Sequence, residues 1–497
     1  MDLAIIRSAN PLKSTQAARW TLIVITWVAF FGRTFTLASQ SLWRDEVDAI
    51  RFSSWPLPEL ITGLFQTGHN GPLFFLFLRF WRYLTGDSEF ALRYPSALLG
   101  ALAAPLGYIL ARQLGFNRRT GLWLSLLLAT SPYLIWYGQE AKMYALLLVL
   151  VTLAFIAYLK AISGAGLRWW FVFTLATTLS FYTHILAPLM LLVYGLVAWL
   201  YRVELRRRWP GWLVSMACLT LPYLPLALWQ APLLWQGFQS GHPFYPLPEQ
   251  LKLLLQLYST GLVWLARWTP LVLFIFLFLV GVVLSPSVTG SRPLTRRSRY
   301  VLAGWVLLPS LCVYLISWRV AVFEDRYLIY IVPAFYLLVA SGLDTIRRYW
   351  RGLAGLCLGL ILMINLLGIW QQQRQSIKAD FRAAADYLMS QPQPPSTIMV
   401  QIPYLQYTLN YYYPRHYTLL EGLWTNDHKS EATVATEMTT LTSGLTDLWL
   451  VVSEETMWDS RHLTRAWLDQ HAELVDQAHF MRVDLYHYRL KSALSDK

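Results

Sequence analysis

Three carboxylates, Asp45, Glu46 and Asp48, fall within four positions of the stretch Ser41-Leu42-Trp43-Arg44-Asp45-Glu46-Val47-Asp48. An acidic pair of this kind can take the proton of an attacking hydroxyl or ligate a metal ion. Burial and a neighbouring carboxylate both raise the pKa of one member, toward that of a working base. Three further polar stretches carry comparable potential. Gly68-His69-Asn70-Gly71-Pro72 precedes an apolar segment, and Tyr137-Gly138-Gln139-Glu140-Ala141-Lys142-Met143-Tyr144 sets an acid two residues from a cation. In Phe323-Glu324-Asp325-Arg326-Tyr327 the arginine opens a helix, where the dipole disfavours a cation and an anionic partner is expected. His184, in Tyr182-Thr183-His184, stands between two apolar runs.

Each has a plainer explanation. Acidic pairs in loops are usually solvated, and Glu140 with Lys142 could form an ordinary interfacial pair. Asp325 or Glu324 could be the whole partner of Arg326. His184 and His69 could serve only as interfacial hydrogen-bonding residues, and Tyr411-Tyr412-Tyr413 and Trp169-Trp170 read as packing aromatics.

The elements that must position these residues follow from composition. Of 497 residues, 56% are hydrophobic and 14% charged, with a mean hydropathy of +0.40. A soluble chain of this size could not cover so much apolar surface. Apolar runs long enough to cross a bilayer fall at about 20–38, 95–111, 120–136, 144–161, 169–184, 186–201, 211–229, 269–285, 300–318, 327–345 and 352–371. Pro72–Thr85 and Leu251–Trp268 are ambiguous. If neither spans, one side receives 19 arginines and lysines in short loops and the other far fewer over much longer loops, as the positive-inside rule requires. Both are therefore read as amphipathic surface helices. The expectation is a polytopic α-helical membrane protein with eleven spans, its N-terminus cytoplasmic and the first outer loop at 39–94. Met1–Arg19 is basic and reads as an uncleaved anchor.

Residues 372–497 are polar and mixed in composition. Strands are expected at Ile398–Ile402, Asp447–Ser453 and Arg482–Leu490, and helices at Lys378–Met389 and Thr464–Gln470. The domain division expected is thus 1–371 in the membrane and a small α/β domain, 372–497, outside it. The net charge of +13 resides largely in short loops, which suits topology and anionic head groups better than nucleic acid. Cys218, Cys312 and Cys357 lie inside apolar runs and form no disulfide or zinc pattern. With this arrangement all four polar stretches and His184 are expected at the same outer face.

The combination resembles the GT-C glycosyltransferases, in their protein-O-mannosyltransferase and aminoarabinose-transferase-like branch (family 39). The resemblance rests on the Asp45-Glu46 pair in a long first loop, His69-Asn70-Gly71-Pro72-Leu73-Phe74, and Glu89-Phe90-Ala91-Leu92-Arg93-Tyr94-Pro95-Ser96-Ala97. Ser131-Pro132 through Tyr144, and Arg326-Tyr327 with Pro333, complete it. It covers most of residues 20–345. The chain departs from the pattern where Asn70-Gly71 replaces a proline-containing pair and where Lys142 stands for an arginine, so sugar and acceptor stay open. What the resemblance implies is transfer of one sugar, with inversion, from a polyprenyl-phosphate donor to an acceptor hydroxyl on a lipid, glycan or protein at the outer leaflet. Asp45 would be the base, with Glu46 holding it or the acceptor, and Glu140 would position sugar or acceptor. Arg326, then Lys142, would bind the donor phosphate, and His69, Tyr144, His184 and Asp325 would contact substrate. A divalent metal could be held by Asp45, Glu46, Glu140 and His69, but no spacing fixes a geometry. Membrane lipids are the remaining partner.

Two other readings compete. A transporter or flippase of lipid-linked sugars should carry charges near the middle of its spans, often in paired halves; here they gather at span ends. A binding protein working through its outer domain would leave the polar stretches unexplained.

Overall fold

The computed structural model describes residues 11–63, 72–237, 242–263, 269–284 and 296–490. In chain order its first helices are α1 (Pro11–Thr34), α2 (Arg44–Ser54), α3 (Leu57–Thr62), α4 (Pro72–Thr85), α5 (Glu89–Gln113), α6 (Arg118–Thr130), α7 (Pro132–Gly138), α8 (Tyr144–Ser163) and α9 (Leu167–Phe181). There follow α10 (Met190–Leu200), α11 (Arg202–Arg206), α12 (Trp209–Gln236), α13 (Leu247–Thr260), α14 (Thr269–Val283), α15 (Arg296–Ser317), α16 (Val332–Tyr349) and α17 (Arg351–Arg374). The chain divides into two compact units, Met1–Leu37 with Trp55–Gln373, and Ala38–Ser54 with Arg374–Lys497. The expected organisation kept all of loop 39–94 with the membrane helices. In the structure α2 instead belongs with the C-terminal residues.

In the helical unit, six helices among the described residues are long and apolar enough to cross a membrane: Glu89–Gln113, Tyr144–Ser163, Trp209–Pro232, Arg297–Ser317, Asp325–Tyr349 and Arg351–Arg374. Ala187–Leu200 and Pro270–Val283 are shorter apolar helices. The expected run 120–136 is two helices, because Ser131 ends α6 and its hydroxyl accepts from Leu134 N–H to cap α7, with Pro132 at the first helical position. Leu328–Ile346 is buried all round, whereas α12 and α17 expose apolar side chains such as Leu213, Leu221, Leu228, Leu356 and Leu366. Such a surface is stable only in an apolar solvent. Gly281 of α14 and Gly342 of α16 let the two helices meet backbone to backbone, since a Cβ at either would overlap the carbonyl of Leu338 or Leu277.

The second unit holds a five-stranded sheet of order β2-β1-β3-β5-β4. Its strands are β1 (Thr397–Val400), β2 (Thr418–Glu421), β3 (Asp447–Val452), β4 (Ala472–Phe480) and β5 (Val483–Leu490). β1 runs parallel to both β2 and β3, with Ile398 opposite Leu419 and Trp449, and β5 is antiparallel to β3 and β4. The unit's other helices are α18 (Phe381–Ser390), α19 (Gln406–Tyr412), α20 (Glu431–Leu441) and α21 (Leu463–His471). Alternate strand residues face opposite ways. Ile398, Val400, Trp449 and Val451 therefore pack with Phe381, Leu388 and Leu409, while Met399, Leu448 and Leu450 pack with Val434, Met438 and Leu468. Helices cover both faces of a small α/β domain.

Candidate functional site

Within the helical unit, residues 133–144 and 324–327 meet. Tyr133 and Tyr137, four apart on α7, present their rings on one face. The Tyr137 hydroxyl donates to Asp325 Oδ2 at 2.9 Å and the Tyr133 hydroxyl to the Asp325 carbonyl at 3.0 Å. Burial, then the Asp325 carboxylate, push the Tyr137 hydroxyl well above its ordinary value, so it serves as a neutral donor. Behind α7 lies a fully buried arginine, Arg33. Its guanidinium donates to the carbonyls of Ala29, Leu128 and Ala129 at 3.0–3.2 Å, and its chain lies against Gly100 and Gly138, where a Cβ would come within 2.9–3.0 Å of it. The bonds to Leu128 and Ala129 satisfy carbonyls in the last turn of α6, where intrahelical partners run out.

After Gly138 the chain leaves the helix until Tyr144 opens α8. Glu140 and Lys142 lie in this interval, both buried. Lys142 N–H donates to the Glu140 carbonyl at 2.7 Å, and the Lys142 carbonyl accepts from Ser96 Oγ at 3.1 Å. Lys142 forms no ion pair among the described residues.

Asp325–Ile331 is a 3-10 segment entering α16, pinned by Tyr258 Oη donating to Leu328 O at 3.2 Å and Tyr330 Oη donating to Leu186 O at 3.1 Å. Arg326 Nη1 is 4.0 Å from Glu324 Oε2, and the guanidinium lies 5.9 Å from the Tyr327 ring centre. Glu324 also meets His242 Nδ1 at 3.1 Å. The His184 ring packs 4.8 Å from Tyr327 and 6.4 Å from Tyr144, which itself lies 5.4 Å from Tyr137. His184 Nδ1 accepts from Leu186 N–H at 3.2 Å, which leaves the ring proton on Nε2. That nitrogen is buried with no hydrogen-bond partner among the described residues. His184 lies in the turn after α9; burial, reinforced by the Arg326 cation, pushes it down to about 3 and keeps it neutral.

In the second unit, Asp45 and Glu46 occupy the first turn of α2, where the dipole favours anions. Asp45 Oδ1 is 3.4 Å from Arg44 Nε. Arg44 Nη1 donates to Glu454 Oε2 at 2.9 Å and to the Tyr404 hydroxyl at 3.2 Å. Glu46 lies wholly inside the core, 2.8 Å from Nζ of the buried Lys378. Asp48 is 3.8 Å from Arg51, whose guanidinium stacks 4.0 Å above the Tyr407 ring. Glu46 therefore has a specific buried partner that its position in a polar loop did not suggest.

Glu140, Lys142, Tyr144, His184, Asp325 and Arg326 thus gather in the helical unit, Asp45 and Glu46 belong to the other, and His69 lies outside the described residues. Among the described residues no three His, Cys, Asp or Glu side chains gather as a metal site. The sequence did not single out Tyr133, Tyr258, His242, Tyr404, Glu454 or Lys378. Tyr133 was findable from its four-residue spacing to Tyr137, and the others only through contacts remote in sequence.

The fold is that of the GT-C glycosyltransferases. Two structures of ArnT from Cupriavidus metallidurans are similar to this chain. The apo form has 15% identity and a TM-score of 0.59, covering 96% of this chain and 98% of that one. The form bound to undecaprenyl phosphate has 14% identity and a TM-score of 0.60, covering 95% and 98%. The oligosaccharyltransferase AglB from Archaeoglobus fulgidus, in complex with an inhibitory peptide and a dolichol-phosphate, has 10% identity and a TM-score of 0.52, covering 97% and 75%. Residues 69–229 match the family model described as dolichyl-phosphate-mannose-protein mannosyltransferase. No curated protein matches the chain by sequence.

Proposed function

We propose that this protein is a membrane glycosyltransferase that moves one sugar from a polyprenyl-phosphate donor to an acceptor hydroxyl at the extracytoplasmic face, with inversion. The observation that carries the reading is the buried polar seam of the helical unit, where Lys142 and Arg326 gather with Glu140, His184 and the Tyr137–Asp325 hydrogen bond. Burying charge is costly, and Lys142 is buried with no ion pair among the described residues. A seam of this kind is supported as a site for an anionic group that enters from outside. The bound undecaprenyl phosphate of ArnT and the dolichol-phosphate of AglB support the donor class.

In the reaction, Asp45 takes the proton of the acceptor hydroxyl as its oxygen attacks the anomeric carbon. The bond from that carbon to the phosphate oxygen breaks, and the electron pair leaves with the polyprenyl phosphate. General-base help of this kind contributes ~10²–10⁴-fold. Lys142 and Arg326 stabilise the charge that grows on the departing phosphate. Glu140 orients the sugar or acceptor, while Tyr144 and His184 line the seam and Asp325 fixes its tyrosine wall. Glu46 anchors α2 through Lys378 and so holds the segment bearing Asp45.

The test is transfer from a panel of radiolabelled undecaprenyl-phosphate sugars by the purified chain, with Asp45→Asn and Arg326→Ala alongside. Loss of turnover in both folded variants is expected. Wild-type rates in both would refute the residue assignment, and full activity with sugar nucleotides alone would refute the donor class.

A further inference from the structure

The three parallel strands of the second unit run in the order β2-β1-β3, so the chain leaves β1 toward one neighbour and returns to the other. In open α/β sheets the crevice beyond the carboxyl ends of strands at such a reversal is where ligands bind. Here it holds part of the chain itself. Tyr404 follows β1, Glu454 follows β3, and both are bonded to Arg44. The segment carrying Arg44 is tied down along its length. Gln40 Oε1 accepts from the N–H groups of Ile377 and Lys378, and Ser41 Oγ donates to the Ala379 carbonyl. Leu42 N–H donates to the Tyr412 hydroxyl, and Glu46 meets Lys378.

Glu454 is also in an unusual conformation. Its φ of 53° lies in the left-handed region, where a non-glycine residue is strained. Glycine would be the stable choice there. A glutamate at that point places its carboxylate 2.9 Å from Arg44, whose guanidinium also lies 5.3 Å from the Tyr404 ring centre and 3.4 Å from Asp45 Oδ1.

We infer that Glu454 and Tyr404 are positioning residues that act on the Asp45 carboxylate through Arg44, and that this is what the C-terminal domain contributes to catalysis. Glu454 draws part of the Arg44 charge away from Asp45, so the base is oriented by a cation without being fully neutralised by it. This rests on the assignment of Asp45 as the base. Among the described residues, the charged and titratable groups of this region include Arg44, Glu46, Asp48 and Arg51 on the helix of Asp45; Lys378, which meets Glu46; Tyr404 and Tyr407 from the segment after β1; and Glu454 from that after β3.

The test uses the full chain and two readouts. In the first, carbodiimide labelling of Asp45 is followed by mass spectrometry as a function of pH, with no substrate present. Glu454→Gln removes a nearby negative charge and releases Arg44 to Asp45, so the labelling midpoint should fall; an unmoved or raised midpoint overturns the proposal. In the second, transfer from the undecaprenyl-phosphate sugar panel should show kcat lowered by ~10–10²-fold with donor KM little changed, the scale of loss expected for a misplaced catalytic group. Glu454→Gly keeps the backbone at ease and should be as stable as the wild type while showing the same loss of kcat. A wild-type kcat in that variant overturns the proposal. Tyr404→Phe should give a smaller loss in the same direction, and Arg44→Met combined with Glu454→Gln should be no worse than Arg44→Met alone; additive losses count against action through Arg44. If Asp45→Asn is itself fully active, the base assignment fails instead.

Discussion

The Glu46–Lys378 pair is the sharpest point at which to test this structure. Glu46 is wholly inaccessible and the Lys378 side chain is 6% exposed, with 2.8 Å between the charged atoms. Lys378→Met would leave a carboxylate in the core without its cation, a change that costs about 3–5 kcal/mol. The unit comprises about 140 residues, for which each kcal/mol lowers Tm by roughly 3–5 °C, so a fall on the order of 10–20 °C is expected. The charge-free double variant, Glu46→Gln with Lys378→Met, should recover most of that loss, because replacing both partners removes the uncompensated charge. The assay is protease protection of the full-length protein against temperature, read by mass spectrometry on peptides that contain β1 and β3. Protection of Lys378→Met within ~0.5 kcal/mol of wild type, or a double variant as unstable as the sum of the singles, would refute the reasoning. The same double variant separates roles for Glu46: if it serves only as an anchor, restored stability brings restored transfer.

Three further outcomes follow from the helical unit. Tyr137→Phe removes the donor to Asp325 Oδ2 and leaves a buried acceptor short of a bond, so Tm should fall by the equivalent of ~1–3 kcal/mol and transfer should weaken with it. Gly138→Ala places a methyl about 3.0 Å from Arg33, which three carbonyls hold in place; overpacking of about 1–3 kcal/mol is expected, read as a lower Tm of the solubilised protein. His184 has a folded value pushed to about 3, below its unfolded value near 6.5, so the unfolded chain binds the extra proton. Its contribution is therefore complete above roughly pH 6.5 and is lost as pH falls toward about 3. His184→Gln should flatten the acid-side loss of stability by up to ~1.4 kcal/mol per pH unit, read as a shallower fall of Tm with pH.

The hydrophobic pattern made the helical, apolar character of the first unit, the polar stretches 137–144 and 323–327, and β1, β3 and β5 legible, because each depends on local periodicity or on charge placed at a helix end. Of the eleven spans expected, six helices among the described residues are long and apolar enough to cross a membrane. Helix α18 was read three residues early, with Lys378 inside it, although Asp380 caps the helix and Lys378 turns into the core toward Glu46. β2 and β4 escaped notice. β2 is only four residues, partly exposed, at a sheet edge, and Ala472–Phe480 alternates apolar and polar residues too weakly to declare a strand. The break at Ser131-Pro132 was visible as a cap signal inside an apolar run, yet hydropathy alone joins the two pieces. The membership of α2 in the C-terminal unit could not be read at all, since it depends on pairings more than 300 residues apart.

That split membership has a consequence for how the protein is made. Glu46 and Lys378 are separated by 332 positions, and at roughly 5–20 residues per second the ribosome needs about 15–65 s to deliver the second after the first. Throughout that interval α2 waits for Lys378 and for the sheet of its own unit. The polypeptide therefore closes its second unit last, and any nascent chain arrested before residue 378 carries an open segment that a quality-control protease can recognise.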